Sequence, residues 1–344
     1  MTWTRTLAAT AVAMTATLLG LSSAQAQDPE AFYRGKTVTL IVSAAPGGGA
    51  DLYARAFAKY YSKHLPGRPN VAISNLPGAG GLAAAAQLQN SSPRDGTVIS
   101  LLQRNNLYLP LVSSEKINFD PRQVNWVGSF NKETYALITW HDAPVKTIDD
   151  VFKIPVKIGA TSFNNENRTF PAIINEYLGG KIDIIAGYKG NDDIALAMER
   201  GEVKGRALTV TSLFGGNEAN WMRDKKVNVI MQMGVAASPA IPNVPLIIDY
   251  AKDPKARALF EFMFLPLEAG RPVAAPPQVP ADRLAALRRA FEMAAADPEF
   301  KDELAKQSAS VELLKGEEIK TNVDKLYATP EDVLTRAKAL LKAE

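Results

Sequence analysis

Two stretches of this sequence bring together residue types able to hold an anion: Pro46-Gly47-Gly48-Gly49-Ala50-Asp51 and Asn75-Leu76-Pro77-Gly78-Ala79-Gly80-Gly81. Each is a glycine-rich turn that opens a helical pattern. The first N–H groups of a helix have no partner inside it, and the helix dipole adds partial positive charge at that end. Together they bind an anion without needing Lys or Arg. Glycine lets the backbone approach the ligand, because no Cβ intervenes. Two such turns on neighbouring strands can point at one carboxylate. Asp51 either caps its helix by accepting N–H bonds or faces the ligand, ordering water or accepting a donor.

Other chemistry is poorly supplied. The chain has no Cys, which excludes a disulfide framework, a thiolate nucleophile and a Cys-ligated metal. Of its two His, His64 follows a helical pattern and His141 lies in Trp140-His141-Asp142. Neither belongs to a metal-binding spacing, and both read as surface or hinge residues. No G-x-S-x-G elbow supplies a nucleophilic Ser. Neither a metal nor an organic cofactor is implied.

The elements that must position the turns alternate strand and helix. Lys36 to Ser43 is a nearly continuous apolar, β-branched run, as in a strand buried on both faces of a parallel sheet. A helix follows from about Asp51 to Lys63 and stops at Pro66-Gly67. The strand Asn70 to Ser74, the Ala-rich helix Leu82 to Gln89 and the strand Thr97 to Leu102 come next. The middle of the chain repeats the theme, with strands at Val156 to Ala160, Lys181 to Ala186, Gly205 to Val210 and Val227 to Met231. Arg271 to Pro280 is Pro-rich and reads as a linker or crossing point. Leu284, Leu287, Phe291 and Met293 form an apolar stripe beyond it, and a last helix runs from about Pro330 to Lys342. This alternation predicts α/β layers with mainly parallel sheets. Ligands in such sheets bind beyond the C-terminal strand ends. Besides the two glycine turns, Ala160 to Asn164 and Gly187 to Asn191 occupy that position.

The first 26 residues have a three-part layout: a short segment with Arg5, an apolar run from Thr6 to Leu21, and Ala24-Gln25-Ala26. That layout is a cleaved secretory leader, and the apolar run is shorter than the roughly 20 residues needed to span a bilayer. The remainder, about 318 residues, suits two domains. Lys plus Arg number 39 and Asp plus Glu 36, a balance that leaves no electrostatic footprint for nucleic acid. Gly78-Ala79-Gly80-Gly81-Leu82-Ala83 also satisfies the G-x-G-x-x-A dinucleotide fingerprint. It follows the second strand rather than the first, and soluble NAD is not expected outside the cytoplasm.

At these residues the chain resembles a known family. Pro46-Gly47-Gly48-Gly49-Ala50-Asp51 with Ala54-Arg55, Asn75 to Gly81, and Asp95-Gly96-Thr97 look like its first three motifs. Gly187-Tyr188-Lys189-Gly190, Leu196 to Val203 and Asn243-Val244-Pro245 follow in order. The set resembles the substrate-binding subunits of tripartite tricarboxylate transporters, also called Bug proteins, from about Gly35 to Leu341. The resemblance implies an α/β, two-lobed periplasmic binding protein fold (type II-like), each lobe a mainly parallel sheet flanked by helices, closing on a ligand in the interlobe cleft. It implies a carboxylate held by Pro46, Gly47, Gly48, Gly49 and Asp51, then by Pro77, Gly78, Ala79 and Gly80. The second lobe would add Thr161, Ser162, Phe163 and Tyr188. Two positions depart from the family pattern: Ala84 stands where Gly is usual, and Arg94 where Pro is usual ahead of Asp-Gly.

The expected lobes are 27–135 plus 261–344, and 136–260, with hinge crossings near Tyr135 to Trp140 and Phe260 to Pro266. Arg104, after the third strand, either pairs with a second ligand carboxylate or is a surface residue. Trp126, Trp140 and Trp221 either line an aromatic pocket or pack the core. The function expected is capture of a small organic carboxylate by a monomeric periplasmic protein that docks on membrane transporter subunits, without turnover. The rival readings are an exported enzyme acting on a carboxylate, and a sensor co-receptor that shares every binding residue.

Overall fold

The computed structural model describes residues 28–341 except 48, 162–164, 216–217 and 308. The expected leader, Gly48, Ser162 and Phe163 therefore lie outside the described residues. The first third of the chain runs through α1 (Pro29–Tyr33), β1 (Thr37–Val42), α2 (Gly49–His64), β2 (Asn70–Asn75), α3 (Leu82–Asn90) and β3 (Val98–Leu101). A 3-10 turn at Arg104–Leu107 and the short α4 (Leu109–Val112) lead to β4 (Asn125–Ser129). Next come β5 (Tyr135–Trp140), α5 (Ile148–Val151), β6 (Val156–Gly159), α6 (Glu166–Leu178), β7 (Ile182–Ile185) and α7 (Asn191–Glu199). They are followed by β8 (Gly205–Thr209), α8 (Val210–Phe214), α9 (Glu218–Arg223) and β9 (Val227–Met233). The remainder is α10 (Pro254–Phe264), β10 (Pro272–Ala275), α11 (Ala281–Ala296), α12 (Pro298–Ala305), β11 (Leu314–Lys315), α13 (Gly316–Tyr327) and α14 (Glu331–Leu341).

The strands form two sheets, ordered β11-β4-β10-β3-β1-β2 and β7-β6-β8-β5-β9. Both are mixed, which corrects the expectation of mainly parallel sheets. The strands that carry the glycine turns are parallel, with β1 between β2 and β3. So are β6, β7 and β8 in the second sheet. The strands added at each crossing, β10 and β11 in the first sheet and β5 and β9 in the second, pair antiparallel.

Two local expectations are also corrected. Tyr135 to Trp140 is a fully buried strand of the second sheet, and the first crossing lies just before it, at 130–134. Pro272 to Ala275 is no linker but a buried inner strand between β3 and β4. Pro272 stands at the first strand position, where a missing N–H costs least, and its carbonyl accepts from Leu102 N at 2.9 Å.

The helices cover the sheets with apolar faces. Tyr53, Phe57 and Tyr61 recur at four-residue spacing along α2 and are buried against Phe130, Phe291 and Phe300. In α11, Leu287 and Phe291 are buried, but Met293 is 47% exposed and leaves the expected stripe. A second core runs on from the first sheet through α6, α10 and α14 into the second. There Phe170 meets Phe264 edge-on, with ring centroids 4.8 Å apart. Trp126, Trp140 and Trp221 belong to the cores, not to an aromatic pocket. Trp140 and Trp221 pack edge to face at 5.0 Å, and Trp126 is 1% exposed with its indole N–H on the Pro121 carbonyl. Among the described residues no helix is long and apolar enough to cross a membrane.

Candidate functional site

Because β1 and β2 are adjacent and parallel, their C-terminal ends put the two glycine turns side by side. Asp51 fastens them together. In the first turn of α2 and 3% exposed, it accepts from Gly47 N at 2.9 Å and Arg55 Nε at 2.8 Å on one oxygen. The other oxygen accepts from Asn75 Nδ2 at 2.9 Å. The Arg55 bond, then the Gly47 N–H, pull the Asp51 carboxyl down to about 2. The Gly47 and Asn75 bonds tie Asp51 to both turns. Pro46, Gly47 and Gly49 are exposed beyond it.

The second turn begins at Asn75, which also donates to the Ala44 carbonyl at 3.0 Å. Pro77, Gly78, Ala79 and Gly80 are exposed. Gly78, Ala79, Gly80 and Gly81 all have positive φ, at 135°, 48°, 62° and 91°, in the region that favours glycine. The run ends at the start of α3, whose N-cap Gly81 supplies no side-chain cap. The preceding 3-10 turn supplies an acceptor instead, and the Leu82 N–H donates to the Ala79 carbonyl. Gly81 must be glycine on packing grounds too, since a Cβ there would lie 2.5 Å from Gln103 Cγ and 3.0 Å from Asn106 Oδ1. Asn106 is fully buried and donates to the Gly80 carbonyl at 3.1 Å. Its Oδ1 has no partner among the described residues.

Arg104 follows β3 and is partly buried. Its guanidinium forks onto Glu166 at the start of α6, with Nε to Oε1 at 2.8 Å and a second, shorter contact from Nη2 to Oε2. Nη2 also donates to the Tyr135 hydroxyl at 3.1 Å, and that hydroxyl donates to Glu166 Oε2 at 2.7 Å. Burial opposes the charge on Arg104, but Glu166 outweighs it and holds the guanidinium protonated. Burial, then the Glu166 charge, push the Tyr135 hydroxyl well above its ordinary value. The pair joins the first-sheet side of the molecule to the second.

The second-sheet turns also meet one another. Gly187 N donates to the Thr161 carbonyl at 2.9 Å, and Thr161 N is held by Asn167 Oδ1 at 3.2 Å. Tyr188 is half-buried, and its ring lies 3.2 Å from where a Gly159 Cβ would stand. The N-cap of α6, Asn165, lines a groove of about 710 Å³ together with Ala79, Gly80 and Asn105. The second glycine turn and the start of α6 thus share one cavity.

Sequence reasoning missed Arg271. Its guanidinium lies over the Tyr53 ring at 4.4 Å and 3.2 Å from the Cβ position of Gly49, at the mouth of the first turn. Glu133 neutralises it at 2.9 Å and also accepts from Thr211 Oγ1 at 3.0 Å. Arg271 is brought to Gly49 only by the return of the chain as β10, so no local pattern marks it.

The glycine turns that open α2 and α3 stand side by side at one end of the first sheet, and Asp51, Arg104 and Arg271 near them are paired with Arg55, Glu166 and Glu133. His64 lies elsewhere, bonded to Asp297 at 2.9 Å beyond the far end of α2, and His141 is exposed. Among the described residues no group of three His, Cys, Asp or Glu is placed to hold a metal.

Comparison with known proteins shows the family and the fold. The model of the tripartite tricarboxylate transporter family receptor matches residues 53–343. A Cupriavidus necator protein described as UPF0065 protein in gbd 5'region is 26% identical over 245 residues, covering 70% of this chain and 72% of its own. Among solved structures, a TctC solute binding protein from Polaromonas superposes with a TM-score of 0.68 at 19% identity, covering 88% of this chain and 99% of that one. MatC from Rhodopseudomonas palustris with bound malate gives 0.60 at 18% identity, covering 89% and 99%. An R. palustris protein with adipate gives 0.62 at 18%, covering 88% and 97%. At these identities the structures show a shared fold.

Proposed function

Because the chain belongs to the tripartite tricarboxylate transporter receptor family, we propose that it captures a small organic carboxylate in the periplasm and hands it to a tripartite tricarboxylate-type secondary transporter. The ligand class is a di- or tricarboxylate or an aromatic acid, bound without turnover by a monomer exported on residues 1–26. The lobes in this reading are 27–135 plus 261–344, and 136–260, closing on the ligand by a hinge. One carboxylate sits at Pro46 to Gly49 and Pro77 to Gly80. Thr161, Ser162, Phe163 and Tyr188 close over the remainder.

The observation that carries this reading is the fastening of the two turns by Asp51, which sets the start of α2 beside the glycine turn that opens α3. Paired N–H groups at helix starts are an anion site. The relatives with malate and adipate support a carboxylate as that anion. The test is a thermal-shift screen of residues 27–344 against aliphatic and aromatic carboxylates, with NAD and a sugar as controls. A ligand that binds only the folded state raises the melting temperature. A shift with carboxylates alone is the expected result, and a shift only with NAD or sugar would overturn the assignment.

A further inference from the structure

We infer that Arg271 binds the ligand directly, its Nη2 donating to the carboxylate held at the first glycine turn. The inference rests on the carboxylate-binding reading and adds to it a cation that the turns do not supply. Arg271 immediately precedes β10, and β10 runs antiparallel to β3, which is parallel to β1. The residue before β10 therefore stands at the same end of the sheet as the turn that follows β1. Contact with that turn is close: Nη2 lies 3.2 Å from where a Gly49 Cβ would stand. Gly49 does not have a positive φ. The space taken by the guanidinium is thus a separate reason for glycine at this position.

The guanidinium is held from several sides, with Nη2 as the end turned towards Gly49. Its hydrogen bonds among the described residues, to Glu133 Oε1 at 2.9 Å and to Asn131 Oδ1 at 3.4 Å, both come from Nη1. The Tyr53 ring supports it at 4.4 Å. The Tyr53 hydroxyl is itself fixed by Ser310, donating to its carbonyl at 2.7 Å and accepting from its N–H at 3.1 Å. Glu133 is braced by Asn131 Nδ2 at 2.8 Å and, from α8, by Thr211 Oγ1 at 3.0 Å. Its side chain is 1% exposed and that of Arg271 20%, so the positive end of the pair is the one that faces out. A carboxylate can add to Nη2 without parting Arg271 from Glu133. The bond it forms is charge-assisted, and stronger than one from a neutral donor.

The test is calorimetric titration of residues 27–344 with succinate, citrate and benzoate, alongside thermal melts. Arg271→Met is expected to weaken whichever acid wild type binds most tightly by at least about tenfold. Arg271→Lys, which keeps the charge without the planar fork, should restore part of that loss. Glu133→Gln can keep an acceptor for Arg271 Nη1 and Asn131 Nδ2 and a donor for Thr211 Oγ1, while removing the negative charge behind the guanidinium. Affinity should therefore rise above wild type even as the melting temperature falls, whereas a pair that only props the fold would lower both. An Arg271→Met protein that melts cooperatively and binds as tightly as wild type would overturn the inference while leaving carboxylate binding intact. So would a Glu133→Gln protein that loses affinity and stability together. Binding of none of the three acids by wild type would overturn the functional reading on which the inference rests.

Discussion

The side-chain amide of Asn75 donates to Asp51 Oδ1 at 2.9 Å, so the last residue of one strand is fixed to the first helical turn that follows its neighbour. The same carboxylate holds Gly47 N through its other oxygen. One carboxylate thus bonds to both glycine turns. Preorganised donors of this kind do not have to be ordered at the moment of binding, which favours affinity.

Removing the fastener should therefore damage folding and binding together. Asp51→Ala removes the charge-assisted bonds from Gly47 N, Arg55 Nε and Asn75 Nδ2, at a cost of about 1–3 kcal/mol, read by urea unfolding. Carboxylate affinity should fall with it. Asp51→Asn keeps the shape but can offer only one acceptor oxygen, and should fall between wild type and Asp51→Ala.

The Asp51 and Asp297 carboxyls, both pulled down to about 2 in the folded chain, make acid stability predictable. His64, then Lys63, hold Asp297 there, and Asp297 also caps α12 through Glu299 N at 3.0 Å. A carboxylate lowered by folding contributes stability above its unfolded value, near 4, and loses it as pH falls towards the folded value. The melting-temperature gap between wild type and Asp51→Asn should be full above about pH 5, narrow from 4 downwards and close near 2. Asp297→Ala should cost about 1 kcal/mol at neutral pH through the lost cap.

The two turns differ in how they tolerate a side chain. A Cβ at Gly47, where φ is +87°, would meet nothing within 4 Å, so Gly47→Ala pays for the backbone conformation alone, about 1 kcal/mol. Gly81 has φ +91° and a Cβ there would overlap Gln103, itself bonded to the Ser43 carbonyl at 3.3 Å. Gly81→Ala should cost about 2–4 kcal/mol. Denaturant midpoints of the two variants compare them directly.

The Arg104–Glu166 pair is largely withdrawn from solvent at both ends, with the side chains 17% and 14% exposed. Glu166→Ala strands the guanidinium and should destabilise the fold by about 3–5 kcal/mol. Replacing both partners, by Arg104→Met with Glu166→Leu, should recover most of that loss. A double-mutant cycle in urea checks the coupling.

Much of the site was legible from residue types. Gly78, Gly80 and Gly81 take positive φ because little else can, and their spacing ahead of an Ala-rich helix marks a strand-to-helix turn. The order of strands and helices up to β3 was also readable from apolar runs. What escaped is set by distant chain. Nothing near Arg104 names Glu166 as its partner, and nothing near Gly49 names Arg271. The prolines around Val273 mask a strand whose hydrogen bonds happen to spare Pro272 N. Strand direction in the mixed sheets follows from how the chain crosses between them, at 130–134 and again before β10, and residue patterns do not record that.

The central claim is that one carboxylate binds where the two glycine turns meet. Its most direct test is calorimetric titration of a carboxylate into residues 27–344, wild type and Gly78→Val. Gly78 has φ +135°, and a Cβ there would stand 3.5 Å from the Ala83 Cβ, with no severe overlap. The substitution thus strains the turn itself more than its packing. The account predicts one carboxylate per wild-type chain and at least a tenfold loss of affinity in a Gly78→Val protein that still melts cooperatively. A folded Gly78→Val protein that binds the carboxylate as tightly as wild type would contradict it.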